Sequence, residues 1–346
     1  MDKNSKMKKL RRLGLLFLIN AVILLPLVYG FEFFFRWKDP HKNLPINGWV
    51  NGEYFTWGHK VTTNRFGLRE RDFQVPKPRG AFRIIVLGDS LTWGVGLATN
   101  ERYSELLEQE LRRSYPAKNF EVLNFGISGL PTTTERDLLE GFKDIVQPDL
   151  IIIGFCVNDP QPKSEDYSIE REEFERAHSR GFASLKYRLG SVGLRMTAQL
   201  IRDAVFGLAE KTGTIPTWHE GLGRTYVRSS PEWQEFVKAL QEIKVMSDQM
   251  KLPTPIFATL NSSGFIGSDY AHPSPDLQRI IDWCRQGEQA AGSLGFETLD
   301  YEKEIPIKLA NDSLPVNVVD GHPSARLNQL YAEKLFRAVV ADLHLK

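Results

Sequence analysis

The sequence predicts an α/β fold built on a parallel sheet with helices on both faces. Two observations carry this. Short apolar runs alternate with longer segments whose apolar residues recur every three to four positions, and that alternation builds a parallel sheet covered on each side. The strongest run, Asp149–Cys156 (DLIIIGFC), is apolar after its first residue, as expected of a strand buried on both faces.

Taken in order, Arg83–Leu87 predicts the first core strand. A helix opening near Asn100 follows, with Tyr103, Leu106, Leu107 and Leu111 on one face. Glu121–Phe125 is the second expected strand, Thr132–Val146 the second helix, and Asp149–Cys156 the third strand. From Pro160 to Arg228 the chain is charged and irregular, with helical pieces expected around Glu170–His178 and Val192–Lys211. Regularity returns with helix Pro231–Met250, strand Thr254–Leu260, helix Asp276–Gly292 and strand Phe296–Asp300. A final helix after Pro323 places Leu327, Leu330, Tyr331, Leu335, Val339 and Leu343 along its apolar side.

The 346 residues are 42% hydrophobic and 25% charged, ordinary for a globular protein and enough for one large domain or two ordinary ones. Lys+Arg 44 against Asp+Glu 43 gives net charge +1, so nothing argues for a nucleic-acid partner. Cys156 and Cys284 are too few for a metal cluster or a disulfide framework and read as buried free thiols. No HExxH or CxxC pattern suggests a metal, and the GVG at Gly94–Gly96 lacks the spacing of a phosphate cradle. No cofactor is expected.

Charge is uneven only at the N-terminus. Lys3, Lys6, Lys8, Lys9, Arg11 and Arg12 precede an apolar run, Leu13 to Phe31, broken by Gly14, Asn20, Pro26 and Gly30. As a helix it would span roughly 28 Å, close to a bilayer core. Phe33 to Phe35, Arg36 and Trp37 then supply interfacial residues. The expected organisation is a cytoplasmic basic segment at 1–12, an uncleaved signal anchor spanning the lipid bilayer at 13–36, and a tether with extended pieces at 37–80. Residues 81–346 are expected to form the main domain, with an insert at about 160–230. The basic flank places the domain on the extracytoplasmic side.

In a parallel sheet the active site lies beyond the carboxyl ends of the strands. Those ends read Gly88-Asp89-Ser90-Leu91, Asn124-Phe-Gly126-Ile and Gly154-Phe-Cys-Val-Asn158-Asp159, and Asp320-Gly-His322-Pro323 stands near the C-terminus. Each is weak alone, since a Ser before a helix is usually a cap and an Asn-Asp pair usually a turn. Together they are hard to dismiss.

With these blocks the chain resembles the SGNH/GDSL hydrolases, serine esterases and acyltransferases on a flavodoxin-like three-layer α/β/α fold. The resemblance covers about residues 80–346, through Gly88-Asp-Ser-Leu91, Gly126 and Asn158-Asp159. It extends to bacterial membrane-anchored members, which share the anchor and a segment like Thr63-Asn-Arg-Phe-Gly-Leu-Arg69. It implies Ser90 as nucleophile, His322 as base and Asp320 as the acid orienting the imidazole. The Ser90 N–H, the Gly126 N–H and the Asn158 amide would form the oxyanion hole. Asp89 then reads as a turn-stabilising neighbour.

The last block departs from the family's commoner DxxH, being Asp320-Gly-His322. A second pair, Asp269-Tyr-Ala-His272-Pro273, has the DxxH spacing and also precedes a helix. Asp320 and His322 are preferred because they precede the last helix; His272 follows the Thr254–Leu260 strand and would line the cleft. His178 and His219 lie in the insert and read as surface or packing residues. Trp218 and Trp233 would either pack or stack on sugar rings at the cleft.

The expected function is a membrane-anchored serine esterase removing short acyl groups, in the first instance O-acetyl, from a saccharide. One alternative is an O-acyltransferase with the same triad, which would need a multi-span membrane partner to deliver the acyl donor. Another is a non-catalytic accessory subunit of a membrane assembly.

Overall fold

The computed structural model describes residues 16, 20, 22–34, 53–161, 169–192, 194–260, 274–300, 315–317 and 320–343. The chain divides into two compact units, Met1–His41 with Ile169–Thr217, and Lys42–Ser168 with Trp218–Lys346.

The larger unit opens with a hairpin, β1 (Glu53–Thr56) and β2 (His59–Thr62). Its core is a five-stranded parallel sheet of β3 (Ala81–Gly88), β4 (Asn119–Gly126), β5 (Leu150–Phe155), β6 (Ile256–Thr259) and β7 (Glu297–Asp300), in the order β4-β3-β5-β6-β7. The chain leaves β3 toward one edge and returns to β5 on the other side, so the switch point lies between β3 and β5, where such sheets hold their ligands. Strands β3 and β5 carry Ile84 to Leu87 and Leu150 to Ile153, all fully buried.

Helices cover both faces. Right-handed crossovers that run in opposite directions put α3 (Tyr103–Ser114) and α4 (Thr132–Val146) on opposite sides. Helix α3 packs against α10 (Ala325–Asp342), and α4 against α8 (Pro231–Gln249). A short α7 (Trp218–Thr225) and α9 (Pro275–Ser293) complete the layers. The starts of α8, α9 and α10 follow from sequence: Ser230, Ser274 and Ser324 accept from the third backbone N–H beyond each, and Pro231 and Pro275 begin two of the helices.

The smaller unit holds α1 (residues 22–34), α5 (Ile169–Ser191) and α6 (Arg195–Lys211). The helix expected at 170–178 continues to Ser191 through Gly181 and Gly190. Packing along α6 outweighs the cost of about 1 kcal/mol per helical glycine. Phe174, Phe182, Phe206, Ala209 and Ile215 cluster there. Helix α1 joins by Tyr29 OH donating to Val192 O (3.2 Å) and by the buried Glu32 accepting from the Thr197 N–H (3.1 Å), an amide of the first turn of α6. Part of the expected span at 13–36 lies outside the described residues. Among the described residues no helix is long and apolar enough to cross a membrane.

Two features depart from the sequence expectation. Residues 61–73, expected within the tether, contain Val61, Leu68, Arg69, Glu70 and Phe73 as buried residues of the larger unit. Trp233 is also buried, in contact with Tyr226 and Phe236, so it is a core residue and not a platform for sugars. Trp218 packs, half-buried, against the same core.

Candidate active site

The site begins with three glycines in lateral register. Gly88 pairs with Gly126 across β3 and β4 and with Gly154 across β3 and β5. A Cβ on any of the three would collide with Thr92. Close packing, more than backbone freedom, thus requires glycine here. Helix α2 (Ser90–Trp93) is seated flat on the ends of three strands, and the Thr92 hydroxyl bonds Tyr103 OH at 2.7 Å.

Asp89 caps this short helix, with Oδ1 accepting from the Leu91 N–H at 2.9 Å. Its Oδ2 accepts from Asn158 Nδ2 (3.1 Å). The Asn158 amide has two N–H groups, so one is left for a ligand. Burial pushes the Asp89 carboxyl above the ordinary range, against the pull of its bonds to Leu91 and Asn158 and the charge of His322.

After α2 the chain turns at Gly94 and is clamped by Arg69. Its guanidinium donates to Trp93 O (3.0 Å), Gly94 O (2.6 Å) and Leu97 O (2.5 Å), and lies 4.5 Å from the Trp93 ring centroid. Arg102 in turn donates to Arg69 O at 2.7 Å. Sequence reasoning missed Arg69 as a site component. An arginine among charged neighbours reads as surface, and its three acceptors lie 24 to 28 residues further on.

His322 arrives from a second hairpin, β8 (Pro315–Asn317) with β9 (Asp320–Pro323). Its Nε2 lies 3.0 Å from Ser90 Oγ. The hairpin rests on the turn after α2: a Cβ at Gly96 would run into Val316. The GVG tripeptide therefore makes room for the strand pair that brings the histidine. Asp320 lies two residues before His322 in the same strand. Asp269 and His272 lie outside the described residues.

Gly126 is corrected. Its N–H donates inward to Asn124 Oδ1 (2.9 Å), and its α-carbon is pressed against the Thr92–Trp93 backbone. It is a packing glycine, and its amide is already committed. Asn124 also donates to Thr92 O (2.8 Å) and Ser104 Oγ (2.7 Å), which ties β4 to α2. On the loop that follows, Gly129 (φ +77°) is half-buried, and its N–H makes no hydrogen bond among the described residues. The Ser90 N–H, at the start of α2, is in the same state.

Cys156 and Cys284 are buried, and neither is in a disulfide among the described residues. Burial raises the Cys156 thiol well above its ordinary value, with Asp89 and Asp159 adding to the effect, so it is a poor nucleophile. His178 is exposed on α5, beside Phe174.

The sequence matches the GDSL-like lipase/acylhydrolase family over residues 86–330, most of the chain, including Ser90, Asn158 and His322. It belongs to that family. As a GDSL-family protein it is a serine ester hydrolase. No curated protein matches it in sequence. Among solved structures it is similar to a variant of the acetyl xylan esterase Axe2 from Geobacillus stearothermophilus, at 17% identity over 75% of this chain and 94% of that one, with TM-score 0.43. It is also similar to LAE5, an α/β hydrolase from the metagenome of Lake Arreo, Spain, at 15% identity, 74% and 94% coverage and TM-score 0.43. A third similar structure is TesA, at 12% identity, 74% and 97% coverage and TM-score 0.41.

Proposed function

We propose that this GDSL-family hydrolase is a membrane-anchored esterase that removes short acyl groups, in the first instance O-acetyl, from a saccharide through Ser90, His322 and Asp320. One observation carries the reading: Ser90 Oγ lies 3.0 Å from His322 Nε2 at the switch point of a parallel sheet. Ser90 Oγ attacks the ester carbonyl while His322 takes its proton. The imidazolium then returns that proton to the departing alcohol, and water, deprotonated by His322, releases the acid and restores Ser90. Asp320 holds the imidazole in the tautomer that leaves Nε2 free to accept.

The tetrahedral oxyanion is held by the Ser90 N–H and the second N–H of Asn158. The third place passes from Gly126 to Gly129, which has no side chain to keep a carbonyl away.

The anchor is supported by the basic residues ahead of it and by the surface of α1. Val22, Ile23, Leu24, Leu25, Leu27 and Phe33 are each more than half exposed, as in a helix whose surroundings are lipid. The saccharide follows from the resemblance to anchored family members and from an extracytoplasmic location.

Detergent-solubilised full-length protein tests the chemistry. It should hydrolyse p-nitrophenyl acetate, and Ser90→Ala and His322→Ala should each lower kcat by about 10³-fold or more. Equal rates from Ser90→Ala and the parent protein would overturn the catalytic reading. Faster acyl transfer to an added saccharide than to water would convert it to an acyltransferase.

A further inference from the structure

The loop that presents Asn158 is built around its neighbour Asp159. The Asp159 N–H donates to Cys156 O (3.0 Å), and its Oδ2 accepts from the Cys156 N–H (3.1 Å), closing a tight turn with Asn158 inside it. Three bonds tie this turn to the rest of the unit. Thr132 N at the start of α4 donates to Asp159 O (3.3 Å), Tyr226 OH to Val157 O (2.8 Å), and Asn158 itself to Asp89 (3.1 Å).

Behind these bonds is a group of enclosed polar atoms at the start of α4, in which the Thr132 hydroxyl is turned toward Asp159. Both carboxyl oxygens of Glu135, Oδ1 of Asp159 and Nε2 of Gln161 are buried without a partner. Glu135 lies in the first turn of α4, one turn beyond Thr132, and is 0% exposed; Asp159 is 1% exposed. No salt bridge reaches either among the described residues. Two ionised carboxylates can only accept, and the Thr132 hydroxyl serves Asp159 alone, so enclosing both charges with no cation and no donor on Glu135 costs several kcal/mol. A single proton removes the conflict, because the hydroxyl of one acid becomes the donor that the other lacks.

We propose that Glu135 and Asp159 share one proton, and that the pair is a positioning device that holds the Asn158 loop against the start of α4. Glu135 is the neutral partner, and its O–H donates to the Asp159 carboxylate. Electrostatics agree with the geometry. Burial raises both acids well above their ordinary values; the charge on Glu135 is the next largest influence on Asp159, and Asp89 raises both. The other titratable groups that sense the pair are Tyr103 from α3, Cys156 from the same loop and Tyr226 after α7, all neutral when protonated.

The proton gives the device a signature. Its folded-state affinity lies above that of the unfolded chain, where carboxyls ionise near pH 4 to 4.5. Stability from the pair is therefore complete below about pH 4 and is lost as pH rises through the folded-state value. Glu135→Gln replaces the acid O–H by an amide N–H that cannot ionise. Its melting temperature should match the parent's near pH 5 and exceed it at pH 8 to 9, with a flatter profile between. Asp159→Asn should flatten the profile as well. Parallel melting profiles for Glu135→Gln and the parent would overturn the shared proton.

The second arm rests on the esterase reading and uses p-nitrophenyl acetate. Glu135→Ala should lower kcat by roughly tenfold or more with KM within about twofold, because Asn158 acts on the oxyanion and not on the bound ester. Glu135→Gln should recover most of that loss. Equal loss in the two variants would overturn the positioning role. The melting arm needs no turnover, so a chain lacking esterase activity would still test the acid pair.

Discussion

Two buried charged clusters flank the four-residue helix that carries Ser90, and they resolve burial in opposite ways. In one, Arg69 and Arg102 spread their guanidinium donors over backbone carbonyls and over Glu105, and Glu70 accepts from the Asn124 N–H (2.8 Å). In the other, Asp89, Asp159 and Glu135 stand together with no arginine or lysine paired to any of them among the described residues. Guanidinium groups cannot shed their charge, so they are housed by geometry, with oxygens set around their terminal nitrogens. Carboxyls can change theirs: Asp89 is met by the Leu91 N–H and Asn158, and the proposed shared proton answers for Glu135 and Asp159. Glu70 shows the boundary between the regimes: burial and Glu105 push it up to about 7, while Arg102 and Arg71 pull it down. The first cluster is thus a clamp of fixed positive charge with one acid shifted toward neutrality, and the second is made of carboxyls alone.

The sharpest way to break this contrast is Arg69→Met. It leaves the Leu97 carbonyl without a donor, while Gly94 O keeps the Leu97 N–H (3.2 Å) and Trp93 O keeps Arg102 (3.5 Å), and with three charged hydrogen bonds lost and one buried group unpaired the loss should reach about 2–3 kcal/mol. Denaturant unfolding measures it, and Arg69→Lys should rescue little, because one ammonium cannot span three fixed acceptors. A loss below about 1 kcal/mol would mean that the clamp is ornamental. Gly96→Val comes next. Its side chain enters the space of Val316, so stability should fall by about 1–3 kcal/mol and kcat by roughly 10- to 100-fold as the His322 strand shifts. Unchanged kcat would show that the hairpin does not set the histidine. The smallest effect belongs to the Thr92–Tyr103 bond: a double-mutant cycle of Thr92→Val with Tyr103→Phe should give a coupling of about 0.5–1.5 kcal/mol. No coupling would assign the seating of α2 to shape alone.

Local patterns made much of the fold legible. The apolar strands, the serine caps with following prolines, and the stops at Ser90 and Asn158 are all signals within a few residues of what they specify. His322 was placed by chain order. What stayed hidden depends on distant partners. Gly126 was read as a donor because a glycine beside a site can let a substrate approach; the inward bond of its amide depends on Asn124, whose orientation no pattern records. Arg69 and Glu135 carry no local signal of burial, since one sits in a polar run and the other in the first turn of a helix, where acids are common. The length of α5 was hidden because its glycines lower helix propensity locally while packing along α6 supplies what they lack.

The glycine floor of the active site has one more consequence. Gly88, Gly126 and Gly154 come from three strands, yet all three lie against Thr92. Any side chain there would lift Ser90 by about the length of a carbon–carbon bond, roughly 1.5 Å. A displacement of that order, set against a Ser90–His322 separation of 3.0 Å, is enough to cost about a hundredfold in rate. The gap between Ser90 and His322 is therefore gauged by the level of the sheet itself, and the surrounding loops are free to vary in shape without resetting it.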